Sequence, residues 1–406
     1  MAEFRLDEVC SSVVDCEHKT VPEVLYGSAW AVGTAAMSDG RIDFSRAKRI
    51  SDETYDLWTR RAVPCEGDLI LAREAPVGPV VRVPASPRVA LGQRTVLLRP
   101  RQDVIDSRYL HFLLMSSEMQ HLMHSKSEGS TVRHLNVEDV RALPLPPLPA
   151  LLEQRAIVDV LGAIDDKIES NRRQHALIER ILETTYRNIC ANFSGEFQAM
   201  GNIVEQGVSG VWGSDVKQSE SEVCVTCLRG VDLHALALGE IPSAPLRWVS
   251  AGQSNSRIPQ EGEIWVEASG FRCGRSVVIG SHTNVLFAQP VRNSNFVKRL
   301  VPKISVRDSY IAWLALKKVY ASEEINNFRT GTSIRNLDVE GMLKNVRVPI
   351  LDDAQSSQLE DMMQYLLSPS RAKETSSLES LRDTLLPELL SGRLRVKDAE
   401  LMMENV

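Results

Sequence analysis

The sequence predicts an α+β chain. Two mixed α/β modules are joined by two long helical segments that form an antiparallel coiled coil, and a pseudo-two-fold internal repeat relates the halves. Three observations predict this. First, Gly129-Ser-Thr-Val-Arg133-His134-Leu135-Asn-Val137-Glu138 returns as Gly331-Thr-Ser-Ile-Arg335-Asn336-Leu337-Asp-Val339-Glu340, 202 residues further on. Five of the ten positions are identical, four are exchanges of similar residues, and one sets His134 against Asn336. Second, the same succession of turn, strand, helix, loop and proline surrounds both copies. Third, a sustained apolar heptad follows the central prolines. A repeat of half the chain length implies one module built twice.

The elements follow in that order. Pro64-Cys-Glu66-Gly67-Asp68-Leu-Ile70 matches Pro259-Gln-Glu261-Gly262-Glu263-Ile-Trp265. Each places a glycine turn before an apolar run that reads as a strand. Ser107-Arg-Tyr109-Leu110-His-Phe112-Leu113 matches Asp308-Ser-Tyr310-Ile311-Ala-Trp313-Leu314, a helical stripe in both halves. Downstream, Pro147-Leu148 falls on Pro349-Ile350. The segment Leu143-Pro144-Leu145-Pro146-Pro147-Leu148-Pro149 excludes helix, because proline fixes φ and lacks an N–H. It reads as a stiff, extended connector.

After it, Ile157, Leu161, Ile164, Ile168, Asn171, His175, Ile178, Leu182, Thr185 and Ile189 keep four-three spacing. That is the seam of a coiled coil. One helix over residues 152–192 would be roughly 60 Å long at 1.5 Å per residue, too long for either module's own needs. Asn171 and His175 within the seam fit a register-setting role, and His175 reads as a seam residue without chemistry. The second helical segment is less regular. Leu359, Met362, Met363, Leu366 and Leu367 form one stripe; Pro369 restarts the helix. Leu378, Leu381, Leu385 and Leu389 form another stripe, ended by Ser391-Gly392. The stretch from Lys397 to Val406 is expected to fray.

The chain has 406 residues, 43% hydrophobic and 25% charged, which suits two or three globular domains. The charged start Met1-Ala-Glu-Phe-Arg-Leu-Asp7 lacks the apolar core of a signal peptide, and no run approaches a membrane span of about 20 apolar residues. With seven scattered cysteines, this predicts a cytoplasmic protein that does not engage a membrane. A net charge of −6 weighs against a uniformly basic nucleic-acid binder, though not against segregated charge. Arg46, Lys48, Arg49 and Arg60 form one basic run; Arg292, Lys298, Arg299, Lys303 and Arg307 form another. Each also fits a solvated face.

Catalytic patterns are missing. The chain has no phosphate-binding Gly-rich loop with Lys, no Gly-x-Ser-x-Gly elbow, no His-Glu-x-x-His, and no Asn/Asp-Pro-Pro-aromatic tetrapeptide. Cys224-Val-Thr-Cys227 lacks the second ligand pair of a zinc site and reads as strand. Asp15-Cys16-Glu17-His18 holds catalytic residue types without triad spacing.

At this point a resemblance becomes specific. Pro147-Leu148-Pro149 followed by Glu153-Gln154, Ile157-Val158, Leu161, Ile164-Asp165, Lys167-Ile168 and Asn171 resembles the central region of specificity subunits of type I restriction–modification enzymes. Leu381-Arg382-Asp383-Thr-Leu385-Leu386-Pro387-Glu-Leu389-Leu390-Ser391-Gly392 is similar to that family's distal region. Asp15 to Thr20, and Ser209 to Asp215, resemble openings of its target-recognition domains. Gln355-Ser-Ser-Gln358 stands where a Glu-Gln pair is typical.

The resemblance implies target-recognition domains at 1–148 and 194–350, a central helical spacer at 149–193, and a distal spacer with C-terminal tail at 351–406. It implies a non-catalytic subunit of a phage-defence system that reads a split, asymmetric site in double-stranded DNA. The helices would dock two methyltransferase subunits, with restriction (motor and nuclease) subunits joining. S-adenosylmethionine and ATP with magnesium would belong to those partners, and no cofactor or metal to this chain. The competing readings are a coiled-coil scaffold without DNA readout and a cryptic DNA-modifying enzyme.

Candidate DNA-binding residues are His18, Lys19, Thr20, Thr131, Arg133 and His134 in the first half. In the second they are Trp212, Ser214, Ser333, Arg335 and Asn336. Hydroxyls suit phosphates, Arg suits guanine and Asn suits adenine. Equally, the two glycines could open capping turns with Arg133 and Arg335 salt-bridged internally. Ile157, Leu161, Ile164, Ile168, Ile178, Leu182, Leu378, Leu381 and Leu385 are the expected spacer and docking positions.

Overall fold

A computed structural model describes residues 4–38, 40–44, 46–128, 133–270, 272–331 and 335–403. By contact density the chain divides into two compact units, Met1–Asp165 with Ser380–Val406, and Asp166–Glu379. Among the described residues no helix is long and apolar enough to cross a membrane.

In the first unit seven strands carry the module: β1 (Cys10–Asp15), β2 (Ala29–Val32), β3 (Lys48–Ile50), β4 (Leu69–Arg73), β5 (Val77–Arg82), β6 (Arg88–Leu91) and β7 (Thr95–Pro100). A four-stranded antiparallel sheet has the order β1-β7-β4-β5. A three-stranded sheet has the order β3-β2-β6, with β2 antiparallel to β3 and parallel to β6. Strand β4 is buried throughout, as expected for a strand covered on both faces. Ile70, Ala72, Val81 and Leu97 pack with Val32, Val89 and Leu91 of the smaller sheet. Beside the main sheet lies helix α1 (Ser107–Met115), capped by the Asp106 carboxylate, and its His111 Nε2 sits 3.1 Å from the Val80 carbonyl. The predicted turn exists: Gly67 has φ +86°, a conformation that glycine tolerates.

Phe4–Arg5 pairs antiparallel with Pro144–Leu145. The connector predicted as merely extended is therefore partly a strand. Helix α2 (Leu151–Asn192) follows as one element of 42 residues. Its motif residue Gln154 is 1% exposed. The Gln154 amide accepts from Asp106 N at 2.9 Å and donates to Pro149 O at 2.9 Å, fastening the connector to the module.

The second unit repeats the plan. Its strands are β8 (Val204–Gln206), β9 (Glu222–Leu228), β10 (Leu246–Ser250), β11 (Glu263–Glu267), β12 (Ser276–Ile279), β13 (Val291–Asn293) and β14 (Val297–Pro302). The order β8-β14-β11-β12 is again antiparallel; β10-β9-β13 again has one antiparallel and one parallel pair. Helix α3 (Val306–Ala321) covers one face of the main sheet through Ile264, Val266, Val278 and Leu300. Trp265, Val277 and Ile279 face the smaller sheet's Leu228 and Val291. Phe197–Ala199 pairs with Arg347–Pro349, the counterpart of the pairing that closes the first module.

Each module also buries a carboxylate at the foot of its central strand. Asp68 meets Arg99 at 2.6 Å. Glu263 meets Arg299 and accepts from Trp265 Nε1 at 2.8 Å.

Three further helices end the chain: α4 (Asp353–Leu366), α5 (Pro369–Leu390) and α6 (Val396–Met403). The Asp352 carboxylate caps α4 by accepting from Gln355 N, which fixes the start that the atypical Gln355-Ser-Ser-Gln358 left open. Pro369 opens α5 as expected, while Pro387 lies inside it. Gly392, at φ +71°, follows its end. The stretch expected to fray is helical from Val396 to Met403, with Ala399 fully buried, so the expectation was wrong there.

Of the predicted seam, Ile157, Leu161, Ile164, Ile168, Asn171, His175 and Leu182 are buried and Ile178 is partly so. Beyond Leu182 the stripe passes to Tyr186 rather than Thr185. A straight helix drifts past a strict heptad in this direction. Leu385 and Leu389 of α5 are buried, whereas Leu378 and Leu381 are partly exposed. Within the first unit Asp165 pairs with Arg382 at 3.2 Å. Within the second, Asn171 Nδ2 donates to Glu374 Oε2 at 3.0 Å and Thr375 Oγ1 at 3.2 Å. Contact positions rise along α5 as they fall along α2, so the pairing is antiparallel.

Candidate nucleic-acid interface

The repeated loop is anchored the same way in both modules. In the first, Glu128 and His134 exchange backbone hydrogen bonds of 2.9 and 2.8 Å, closing the loop that carries Arg133. Leu135 N then donates to Arg73 O at 2.8 Å, and Arg73 N donates to Arg94 O at 2.9 Å. In the second, Thr330 pairs with Asn336. Leu337 N donates to Ala268 O at 2.9 Å, and Ala268 N donates to Phe296 O at 2.8 Å. Three chain segments thus lie side by side: 94, 73 and 135 in one module, 296, 268 and 337 in the other. Bridges between Glu74 and His134, and between Ser269 and Asn336, complete the correspondence.

Arg133 and Arg335 are exposed, and neither forms an ion pair with a described residue. Arg133 Nη1 reaches only the His124 carbonyl, at 3.4 Å. The internal salt bridge considered for them is absent among the described residues. His134 is half-buried and Asn336 exposed. Thr131 and Ser333 lie outside the described residues.

His18 joins the first module's site. Its Nε2 is 3.0 Å from Asp15 Oδ2, and its Nδ1 is 3.4 Å from Arg73 Nη2. Arg73 Nε lies 3.4 Å from Asp15 Oδ1. These partners suit an imidazole that donates from Nε2 to Asp15 and accepts at Nδ1 from Arg73. Arg73 thereby links His18 to the loop end at Leu135. Lys19 is exposed, and Thr20 approaches Gln93, its hydroxyl 3.5 Å from Oε1. Close by, a cleft of about 250 Å3 is lined by Thr20, Arg46, Lys48, Gln93 and Arg94, with glycine backbone at Gly33 and Gly92. Arg46 and Lys48 of the basic run therefore reach the site. Arg94 (φ +69°) and Ala75 (φ +48°) adopt left-handed backbone beside it, strain of the kind that gathers at functional positions.

Trp212 and Ser214 are placed differently. Arg247 stacks over the Trp212 ring at 4.1 Å and pairs with Asp215. Ser214 exchanges backbone hydrogen bonds with Trp248, and its hydroxyl donates to Val216 O at 2.7 Å. Both belong to the edge of the smaller sheet, and no described contact joins them to Arg335.

Sequence reasoning passed over Arg94 and Phe296. The signal was present, since Gly92-Gln93-Arg94 and Ser294-Asn295-Phe296 stand at the same 202-residue offset as the loops. Their identities share nothing, so only the backbone hydrogen bonds reveal the match.

Cys224 and Cys227 lie on β9, and burial pushes the Cys227 thiol up to about 11. Among the described residues no group of three or more His, Cys, Asp or Glu could hold a metal ion.

Comparison with known proteins agrees with this architecture. Residues 38–180 match the family model described as the type I restriction modification DNA specificity domain. The specificity subunit of type I restriction enzyme MjaIX from Methanocaldococcus jannaschii is 28% identical over 153 residues, 37% of this chain. That match spans only 34% of the relative's own length. The MjaVIII specificity subunit of the same organism is 20% identical over 325 residues, 76% of this chain and 75% of that protein. A crystal structure of the type I restriction–modification S subunit from M. genitalium has a TM-score of 0.52, covering 96% of both chains at 15% identity, a likeness of fold.

Fold and repeat define a two-module protein with helical segments after each module. Over residues 38–180 it is similar to the type I restriction modification DNA specificity domain, and in fold to a type I S subunit.

Proposed function

We propose that this chain binds an asymmetric, bipartite site in double-stranded DNA, one module to each half-site. Its helices dock two methyltransferase subunits, and restriction subunits join that assembly. The observation that carries the reading is the anchored loop, repeated with Arg133 and Arg335 exposed at its end. Arginine donors without an ion pair to a described residue suit guanine edges and phosphates. Helix α2, of 42 residues, supplies a spacer of about 60 Å at 1.5 Å per residue. Split sites need such a spacer, because half-sites lie whole helical turns of about 34 Å apart.

The chain itself contributes recognition, and chemistry comes from the partners. Methylated positions should be mapped in DNA from cells with and without this gene and its neighbours. A split, asymmetric motif that depends on this gene is the expected result. Arg133→Ala and Arg335→Ala should each weaken DNA binding by the assembled complex by about 1–3 kcal/mol if they contact bases. Unchanged binding in both would favour a scaffold that joins proteins only. DNA methylation by the purified chain alone, with S-adenosylmethionine, would make it an enzyme.

A further inference from the structure

Arg94 and Phe296 occupy one structural position in two copies of the module. Each gives its backbone carbonyl to the backbone at the end of the central strand, at 2.9 Å to Arg73 N and 2.8 Å to Ala268 N. The carbonyl of that same residue accepts from the repeated loop in both cases. Yet the side chains differ completely. Phe296, just before β14, is 59% exposed although its carbonyl is held by Ala268 N. Arg94 is half-exposed and holds a left-handed backbone at φ +69°. Its ion pair with Glu74 runs through Nε, at 3.3 Å. No hydrogen bond to a described residue engages its two terminal nitrogens. The neighbouring positions diverge as well: Glu74 stands against Ser269, and His134 against Asn336.

A shared backbone frame with divergent exposed side chains is what two readers of different sequences require. We propose that Arg94 and Phe296 are counterpart base-reading residues. Arg94 takes guanine in the half-site of the first module, and Phe296 contacts a thymine methyl group in the half-site of the second. The Arg94 fork offers two parallel donors, which match guanine O6 and N7 in the major groove; Glu74 on Nε holds the fork in orientation. Phenylalanine offers no donor, and its complement in that groove is the thymine C5 methyl. The assignment rests on the bipartite reading above and adds the chemistry of one position in each half.

The test uses the full chain assembled with its partner methyltransferase subunits and duplexes carrying the mapped target. Arg94→Ala should lower discrimination at one G·C pair of one half-site about tenfold or more, leaving the other half-site unaffected. Arg94→Lys should keep affinity and salt dependence yet lose that discrimination, because it retains charge without the fork. Replacing the same guanine by 7-deazaguanine should weaken the wild type and not Arg94→Ala. In the other half-site, uracil in place of one thymine should weaken the wild type severalfold and leave Phe296→Ala indifferent. Variants that lose affinity equally on every sequence, or shift both half-sites together, overturn the assignment. A wild-type assembly that shows no split motif overturns the bipartite reading itself, a result separable from the others.

Discussion

Individual side chains carry the pH response of the modules. Burial, with Arg82 adding to it, pushes His111 down from 6.5 to about 4, while its contact with the Val80 carbonyl and the charge of Asp165 act the other way. The unfolded chain takes up this proton near pH 6.5 and the folded one only near pH 4. Stability is therefore full above about pH 6.5 and falls by about 2–3 kcal/mol as pH drops through that window. Thermal unfolding at pH 4.5 and pH 7 should show it, and His111→Gln should flatten the difference. His175 is also pushed down to about 4, by burial first and then by Arg371 and Lys317, which agrees with a seam residue kept neutral. At this scale the sequence was half legible. The anchored arginines stood out because both copies keep them. Arg94 and Phe296 did not, because a position that differs in the two copies looks like noise until its backbone partners are known. Trp212 resembled a reader by its company in sequence, but Arg247 and Trp248 hold its segment at the sheet edge.

Among the elements, the paired carboxylates Asp68 and Glu263 set the foot of each central strand. Glu263 is fully buried with Arg299 at 4% exposure. Arg299→Met should strand that charge and cost about 3–5 kcal/mol, while the double change Glu263→Leu, Arg299→Met should recover most of it. Denaturant midpoints of the two variants decide this. On the helices, Asn171→Ala should cost about 1–2 kcal/mol by leaving Thr375 and Glu374 without their buried donor. The strands after the glycine turns, the capped helices and the seam through Leu182 were readable from periodicity. The smaller sheets were not. Strands β3 and β6 are three and four residues long, too short for a periodic signal, and β2 and β6 pair in parallel across intervening strands. The closing helix α6 escaped notice because one buried alanine, Ala399, is a faint stripe.

For the whole molecule, spacing is the property to test. A seven-residue insertion after Asn171, matched by one before Thr375, preserves the heptad and adds about 10 Å of helix. Methylated half-sites should then lie about three base pairs further apart. An unchanged gap in the mapped motif would remove the spacer role from these helices. The two-fold plan itself was the most legible feature, since one loop written twice implied a module built twice. Its deeper consequence concerns change over generations. The loop in each module is held by main-chain donors and acceptors, Leu135 to Arg73 and Leu337 to Ala268, which any side chain at those sites supplies. Mutations at exposed positions 94 and 296 should therefore be nearly neutral for folding, within about 0.5 kcal/mol. On the proposed assignment, drift at such positions would rewrite the target while the scaffold stays under no new selection for stability.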